Sequence, residues 1–152
     1  MAKPRLLIKT LSHFDGLELP SYKSKEAAGL DLQAANPADA PMLLKAHGGR
    51  ALVPTGFCMA LERGFEAQIR PRSGLAHKHG VTLLNTPGTI DSDYRGEVKV
   101  LMINHGDEDF TVERGMRIAQ MVIAPVLHMK VKQVDVLDDT DRGAGGFGST
   151  GH

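Results

Sequence analysis

NTPGTIDSDYRGEVKV, residues 85–100, places a long polar connection beside a segment that alternates apolar and polar residues. A tight β-hairpin needs only a two-residue connection. This one carries two carboxylates, Asp91 and Asp93, and the ring of Tyr94, and Gly96 closes it. Glycines near both ends allow the backbone to approach a ligand closely. The stretch therefore predicts a hairpin that lines a binding site, with a carboxylate able to act as a general base on water.

Outward from the hairpin, apolar residues recur with a period of two in short runs separated by glycine or proline. This pattern predicts an all-β barrel or sandwich. A single short helix is predicted at 73–80. The predicted strands are 6–11, 30–34, 50–61, 65–72, 81–85, 97–104, 110–112, 117–126 and 129–137.

Two of these runs suggest contacts beyond a simple half-buried strand. In 129–137 the apolar positions change parity between Val131 and Val134, which predicts a bulge or a change of pairing partner. The runs LMI at 101–103 and MVIA at 121–124 are apolar on both faces. They favour burial on both sides, with another subunit as one candidate for the cover.

Composition excludes several classes of function. A chain of 152 residues with 18 basic and 18 acidic residues has the size of one domain and no bulk field for nucleic acid or anionic lipid. No segment approaches the roughly 20 apolar residues of a membrane span. Cys58 is the one cysteine, so no intrachain disulfide can form. We expect a cytoplasmic protein that binds neither nucleic acid nor membranes.

The segment Pro71-Arg72-Ser73-Gly74 leads from a strand into the predicted helix. Backbone N–H groups and a guanidinium at such a point suit phosphate oxygens. These four residues alone fit a serine N-cap with a solvated arginine better. A serine hydrolase is not indicated, because G-x-S-x-G is absent. His77 and His79 are two residues apart and would diverge on a helix, which favours surface histidines over a metal site.

The end of the chain, residues 142–152, contains five glycines together with Arg142 and Phe147. Such a composition is typical of a disordered terminus. A glycine-rich segment with one guanidinium and one aromatic ring also has the parts of a lid, a phosphate clamp and a stacking face. Both interpretations remain open from these residues alone.

Five short segments of the chain resemble, in order, the five motifs of the trimeric dUTPases, and the resemblance runs nearly from end to end. Met116 stands where that family often has an acidic residue. The five segments are AGLDLQA at 28–34, PRSGLAHKHG at 71–80, NTPGTIDSDYRGEV at 85–98, GMRIAQMVIAP at 115–125 and RGAGGFGSTG at 142–151.

This resemblance implies a homotrimer of distorted jelly-roll subunits with shared active sites. A β-barrel domain would span 1–141, and a mobile glycine-rich arm at 142–152 would close over the active site. The enzyme would hydrolyse dUTP to dUMP and pyrophosphate by attack of water on the α-phosphorus. That reaction supplies dUMP for thymidylate synthesis and keeps uracil out of DNA.

The resemblance also implies roles for individual residues. Asp91 would be the catalytic base and Tyr94 the ring beneath the deoxyribose that excludes a 2′-hydroxyl. Mg²⁺ would be carried by the triphosphate, with Asp31 and Gln120 reaching it through water. The remaining substrate contacts would be Asn85, Thr89, Ile90 and Lys99 for uracil, Arg72, Ser73, Gly74 and Gln120 for phosphates, and Arg142, Phe147 and Ser149 from the tail.

Two alternatives are weighed against this function. A dCTP deaminase shares the fold and much of the phosphate site, but it needs an acid/base group at C4 of the base. A non-catalytic trimeric β-module that binds nucleotides or a protein would not require Asp91. The Ile-Asp-Ser-Asp-Tyr stretch at 90–94 and the complete tail favour the hydrolase.

Overall fold

The fold is built from antiparallel β-strands and one short helix, which confirms the all-β prediction. The computed structural model describes residues 4–146. Within that range no helix is long and apolar enough to cross a membrane. The strands are β1 (Leu7–Thr10), β2 (Ser21–Tyr22), β3 (Leu30–Gln33), β4 (Met42–Leu44), β5 (Gly49–Ala60), β6 (Phe65–Arg70), β7 (Val81–Leu83), β8 (Gly88–Ile90), β9 (Glu97–Asn104), β10 (Phe110–Val112) and β11 (Arg117–Pro125).

The strands form two larger sheets and one two-stranded ribbon. One sheet has the order β1-β5-β9-β7, the other has the order β2-β3-β11-β6-β8, and β4 pairs with β10. Alternate side chains of both larger sheets enter one hydrophobic cluster. Val53 and Val100 reach it from the first sheet, and Leu32 and Met121 from the second, and all four are buried. Two sheets packed over a shared core make a sandwich.

The helix α1 (Ser73–His79) follows the predicted segment closely. Gly80 ends it in the left-handed conformation, with φ of 65°. Arg72, not Ser73, is the N-cap residue, in an extended conformation and without a side-chain cap. His77 and His79 are both exposed.

The ladder between β5 and β9 contains a bulge beside the hairpin. Lys99 pairs with Pro54 and Glu97 pairs with Cys58, so three residues of β5 face only Val98. The Thr55 hydroxyl donates to the Val98 carbonyl at 2.6 Å. Such a bulge bends its strand and increases the local twist. Here it lies where β9 leaves the hairpin.

The predicted strand at 129–137 is wrong for the single chain. Among residues 4–146, no strand follows β11. Met129, Val131 and Val136 are 81%, 93% and 82% exposed. A strand is stabilised by a partner's backbone and by cover for its apolar face, and this segment has neither within the described chain. The predicted bulge or change of partner is absent with it.

Both faces of β9 near its end are covered within the chain. Met102 is fully buried and Ile103 is 7% exposed. Leu101 remains half-buried, and its cross-strand partner Leu52 is 52% exposed. The cover over Met102 and Ile103 therefore comes from this subunit, and contact with another subunit stays a prediction for the Leu52 and Leu101 face.

Substitution of Gly56 tests the packing at the bulge. Gly56 has φ of 75°, and a Cβ there would lie 3.0 Å from Phe14 Cα and 3.1 Å from Ala35 Cβ. Gly16 has φ of 74° with open space around it. We expect Gly16→Ala to cost about 1–2 kcal/mol for the backbone conformation alone. Gly56→Ala should cost about 1–3 kcal/mol more because of overpacking.

Denaturant unfolding of both variants at one protein concentration measures these costs. Equal losses of unfolding free energy for Gly56→Ala and Gly16→Ala would contradict the packing at the bulge.

Candidate functional site

A cavity of about 300 Å³ lies beside the hairpin. Its volume is at the lower end of the range for small-ligand sites. β8 and β9 contribute most of its lining. The lining residues are Leu52, Thr89, Ile90, Asp91, Tyr94, Glu97, Val98 and Lys99.

Backbone edges of two strands face this cavity. β8 is the last strand of its sheet and pairs only with β6 among the described strands. β9 pairs with Pro54 of β5 at Lys99, and its pairing with β7 starts at Met102. Unpaired strand edges present N–H and C=O groups. The cavity therefore offers backbone donors and acceptors to a flat polar ligand.

The turn that carries Asp91 is held by short local hydrogen bonds. The Tyr94 amide donates to the Asp91 carbonyl at 3.1 Å. Arg95 Nη1 donates to the carbonyls of Ser92 at 2.7 Å and Tyr94 at 2.8 Å. The exposed side chain of Asp91 is thus carried on a fixed backbone at the mouth of the cavity.

The ring of Tyr94 lies against a glycine. A Cβ on Gly96 would come within 2.6 Å of the Tyr94 ring atom Cζ. The Tyr94 hydroxyl donates to the Glu97 carbonyl at 3.0 Å. Gly96 is therefore required here for close approach of the ring. This contact sets the direction in which the half-exposed tyrosine faces the cavity.

The carboxyl of Glu97 is held in its charged form. Burial of the side chain raises its pKa. Hydrogen bonds from His13 and from the Gly56 amide lower the pKa, as do the charges of His13 and Lys99. The net result is a pKa below the ordinary value for a glutamate. His13 Nε2 lies 2.6 Å and the Gly56 amide 2.9 Å from Oε1. Lys99 Nζ lies 3.7 Å from Oε2.

A second group of polar residues surrounds Asp31 on the other sheet. Asp31 Oδ2 accepts from Arg117 Nη1 at 3.0 Å, and Arg72 Nε lies 3.9 Å from Oδ1. Arg72 also donates from Nη1 to the Arg117 carbonyl at 2.9 Å. Two guanidiniums around one carboxylate leave a net positive charge. This group suits an anion with several oxygens.

Gln120 connects this group to the start of the helix. It lies between Asp31 and Arg70 in the sheet register, and its Nε2 donates to the Pro71 carbonyl at 3.0 Å. A Cβ on Gly29 would lie 3.1 Å from Gln120 Cβ and overlap its amide. Gly29 is therefore needed for the amide to reach Pro71 and orient the chain at Arg72.

Within one chain the two groups of residues lie far apart. Ile90 pairs with Ala67 on β6, while Asp31 is level with Gln120 and Arg70. Three strand spacings of about 4.8 Å and three residues of about 3.3 Å separate them, or roughly 17 Å measured along the sheet. The cavity lining and the group around Asp31 have no residue in common.

The structure divides the predicted site residues into groups. Thr89, Ile90, Asp91, Tyr94 and Lys99 line the hairpin cavity. Asp31, Arg72 and Gln120 belong to the second group. Ser73 and Gly74 are exposed at the start of α1.

The remaining predicted residues lie outside both groups. The Asn85 side chain lies over Gly88, with Nδ2 3.2 Å from the position of a Cβ there. Arg142 donates from Nε to the Gly145 carbonyl at 2.9 Å. Phe147 and Ser149 lie outside the described residues.

Sequence reasoning missed three residues at these sites. Leu52 lines the cavity from β5, Glu97 lines it from the start of β9, and Arg117 pairs with Asp31. Arg117 and Glu97 both lie inside quoted motifs, so their charge was an available signal. Nothing local in the sequence relates Leu52 to the hairpin, because strand pairing brings them together.

Within residues 4–146, no group of three or more His, Cys, Asp or Glu side chains could hold a metal ion. Asp31, the carboxylate at the centre of the second group, is already paired with Arg117. A divalent cation there would therefore need most of its oxygen ligands from a bound molecule or water.

The dUTPase family model matches residues 15–151. The deoxyuridine 5'-triphosphate nucleotidohydrolase of Sinorhizobium medicae is 63% identical over 97% of this chain and 92% of its own length. The protein of that name from Rhizobium leguminosarum bv. trifolii is also 63% identical, over 98% of this chain and 95% of its own length.

Solved structures show the same fold at lower identity. The Staphylococcus bacteriophage 80alpha dUTPase with dUPNHPP is 24% identical, with a TM-score of 0.83 over 97% of this chain and 99% of the other. A mutant dUTPase from phage phi11 of S. aureus, which coordinates a structural Mg(II) ion, is 20% identical, with a TM-score of 0.75 over 89% of this chain and 99% of the other.

Proposed function

The chain belongs to the dUTPase family, and from that premise we propose that it hydrolyses dUTP to dUMP and pyrophosphate. The observation that carries the proposal is the hairpin cavity. It combines a carboxylate, Asp91, with an aromatic ring, Tyr94, and with the free backbone edges of β8 and β9. The match to two deoxyuridine 5'-triphosphate nucleotidohydrolases over 92% and 95% of their own length supports dUTP as the substrate.

Asp91 is the proposed general base. Its carboxylate would accept a proton from a water molecule as that water attacks the α-phosphorus. Proton transfer by a positioned side chain contributes about 10²–10⁴-fold to a rate. The hydrogen bonds of Tyr94 and Arg95 to the turn backbone supply the positioning, because they fix the peptide groups that directly follow the base, at the carbonyls of Asp91 and Ser92.

The backbone edges of β8 and β9 are the proposed binding site that recognises uracil. Thr89 and Ile90 on one edge and Lys99 on the other would pair with the polar groups of the ring, with Asn85 beside Gly88. A 5-methyl group on thymine would overlap backbone atoms in such a slot, so rejection would come from overpacking.

Tyr94 is the proposed sugar gate. Its ring, packed on Gly96, would lie beneath the deoxyribose and leave no room for a 2′-hydroxyl. The same contact would place the α-phosphorus relative to Asp91, since a misplaced sugar misplaces the phosphate attached to it.

The group around Asp31 is the proposed phosphate site. Arg72 with Ser73 and Gly74 at the start of α1 would bind phosphate oxygens, and Gln120 would orient this segment through Pro71. Mg²⁺ bound to the triphosphate would neutralise its charge. Asp31 and Gln120 would contact the ion's water molecules only, which fits a carboxylate already paired with Arg117.

A homotrimer with shared active sites is proposed to unite the two groups. The two groups of residues lie roughly 17 Å apart along the sheet of one chain, and this separation supports the proposal, because a water held by Asp91 would not reach a phosphate held by Arg72 of the same chain. The exposed Leu52 and the exposed apolar residues of 129–137 offer surface for a neighbouring copy. Arg142, Phe147 and Ser149 would complete the site as a closing arm at 142–152, beyond the β-domain of 1–141.

The reaction is placed in the cytoplasm, where a chain with a single cysteine needs no oxidising environment. One assay separates it from the alternatives. The protein is mixed with dUTP and dCTP separately, and pyrophosphate and ammonia are measured. Pyrophosphate from dUTP is the expected result, whereas ammonia from dCTP would indicate a deaminase and neither product a binding module.

Asp91→Asn should remove the base and keep the shape of the turn. We expect kcat for dUTP to fall by about 10²–10⁴-fold, with nucleotide affinity nearly unchanged because the cavity lining is retained. Steady-state kinetics and binding of a non-hydrolysable dUTP analogue measure the two effects. Asp93→Asn, in the same turn but outside the cavity lining, is the matched control. A kcat for Asp91→Asn within a few-fold of the parent would refute the assignment.

Deletion of residues 142–152 tests the closing arm. The described part of the deleted segment, 142–146, contains one apolar side chain, Ala144, and it is exposed, so oligomeric state and Tm should change little. Activity should fall by about 10²-fold or more, because the triphosphate loses a clamp that positions it. Arg142→Ala should reproduce much of that loss, since it removes a charge-assisted contact to phosphate.

The exposed Arg63, in the turn before β6, supplies the control variant Arg63→Ala, which should keep full turnover. Parent-level dUTP turnover in the shortened protein, with its oligomeric state intact, would show that the segment is not a lid.

A further inference from the structure

The carboxylate of Glu97 joins three separate parts of the chain. Its Oε1 accepts from His13 Nε2 at 2.6 Å and from the Gly56 amide at 2.9 Å. Its side chain is only 15% exposed. His13 belongs to the 3₁₀ turn Ser12–Phe14, Gly56 to the bulge of β5, and Glu97 to the first position of β9. These contacts span 84 and 41 residues of sequence.

The two partners of this carboxylate are themselves fixed to the body of the domain. Arg114 donates to the carbonyl of His13 at 3.0 Å and to that of Asp15 at 2.6 Å, which holds the 3₁₀ turn. The Gly56 carbonyl accepts from the Leu11 amide at 2.8 Å. Both partners of Glu97 are therefore hydrogen-bonded to other parts of the domain.

The bulge leaves the Gly56 amide without an acceptor in the ladder, and this carboxylate accepts from it. Residues 55–57 of β5 have no partner residues in the ladder with β9. Gly56 is buried, and a buried amide without an acceptor costs about 1–3 kcal/mol. Glu97 supplies the acceptor. The end of the hairpin is thereby fastened where the regular ladder is interrupted.

The backbone of the same residue holds the proposed sugar gate. The Glu97 carbonyl accepts from the Tyr94 hydroxyl at 3.0 Å, and the ring packs on Gly96 directly before it. A displacement of Glu97 would therefore move the support of Tyr94. Asp91 would follow, because the Tyr94 amide donates to its carbonyl at 3.1 Å.

We propose that Glu97 is a positioning residue for the reaction, which fixes Tyr94 and Asp91 by fastening the outgoing strand of the hairpin to Gly56 and His13. Glu97 itself would contact neither the reacting phosphate nor the attacking water. The inference deepens the proposed function and rests on it, since the sugar gate matters only if a deoxynucleotide binds at the cavity.

The experiment uses Tyr94 itself as a reporter. The chain has two tyrosines and no tryptophan, so Tyr22→Phe leaves Tyr94 as the one fluorescent tyrosine. In this background, Glu97→Ala removes the acceptor and Glu97→Gln keeps one. Asp109→Ala is the matched control, because Asp109 also combines a lysine contact with a backbone amide, Lys45 and Ala46, and lies outside the cavity lining.

We expect acrylamide quenching of Tyr94, measured without nucleotide, to rise above the parent value in Glu97→Ala. The ratio of kcat/KM for dUTP over UTP should fall by about tenfold or more, with kcat for dUTP reduced, because both gate and base lose their position. Glu97→Gln should recover most of both properties. Asp109→Ala should leave quenching and the ratio at parent values.

Unchanged quenching or an unchanged dUTP over UTP ratio in folded Glu97→Ala would overturn the inference. If Glu97→Ala does not fold, His13→Ala decides, since it removes one donor and leaves the Gly56 contact. That variant should shift quenching and the ratio in the same direction by a smaller factor, and parent values for both would refute the role. A parent protein that does not hydrolyse dUTP would refute the proposed function, and Tyr94 quenching would then decide alone whether Glu97 holds the tyrosine.

Discussion

The ladder between β5 and β9 is the interaction on which the rest of the structure depends. It is the pairing that carries buried Val53 and Val100 into the core and that delivers β9 from the hairpin. Its bulge at 55–57 leaves a buried amide at Gly56, and the side chain of Glu97 satisfies that amide. The hydrogen bond between Glu97 and Gly56 at this bulge therefore helps to fix the position of the proposed catalytic turn.

The second constraint is the distance between the two proposed half-sites, which are the group around Asp31 and the hairpin cavity. The group around Asp31 and Arg72 lies on β3, β11 and the segment before α1, and the cavity around Asp91 lies between β8 and β9. Strand β6 lies between β11 and β8 in one continuous sheet, and this pairing keeps the two groups apart within one chain. The proposed oligomer solves this problem by symmetry, since a neighbouring copy can present one half-site to the other.

Local patterns predicted much of the fold. The strands 97–104 and 110–112 and the helix at 73–79 have the predicted bounds or nearly so, because alternation and turn residues act over a few positions. β2 and β4 were missed because strands of two or three residues are too short to show an alternation of apolar and polar residues. β8 was hidden in a stretch interpreted as loop. The segment 129–137 has a strand pattern but no partner strand among residues 4–146, and a pattern alone cannot supply a partner.

The residues that line the candidate site could be predicted from the sequence, but the hydrogen bonds that hold them in position could not. Asp91, Tyr94 and Lys99 line one cavity, and their roles stay proposals. The contact between Glu97 and Gly56 depends on a bulge, so neither residue signals it alone.

The most direct test of the account is complementation between two inactive variants. Arg72→Ala and Asp91→Asn each remove one half-site, and the two proteins are unfolded, mixed in equal amounts and refolded together. If sites are shared between copies, an intact site forms from Arg72 of one subunit and Asp91 of another. About a quarter of the sites, and of the parent dUTP turnover, should then return. Turnover no higher than that of the separate variants, in a mixture shown to contain hetero-oligomers, would contradict the shared site.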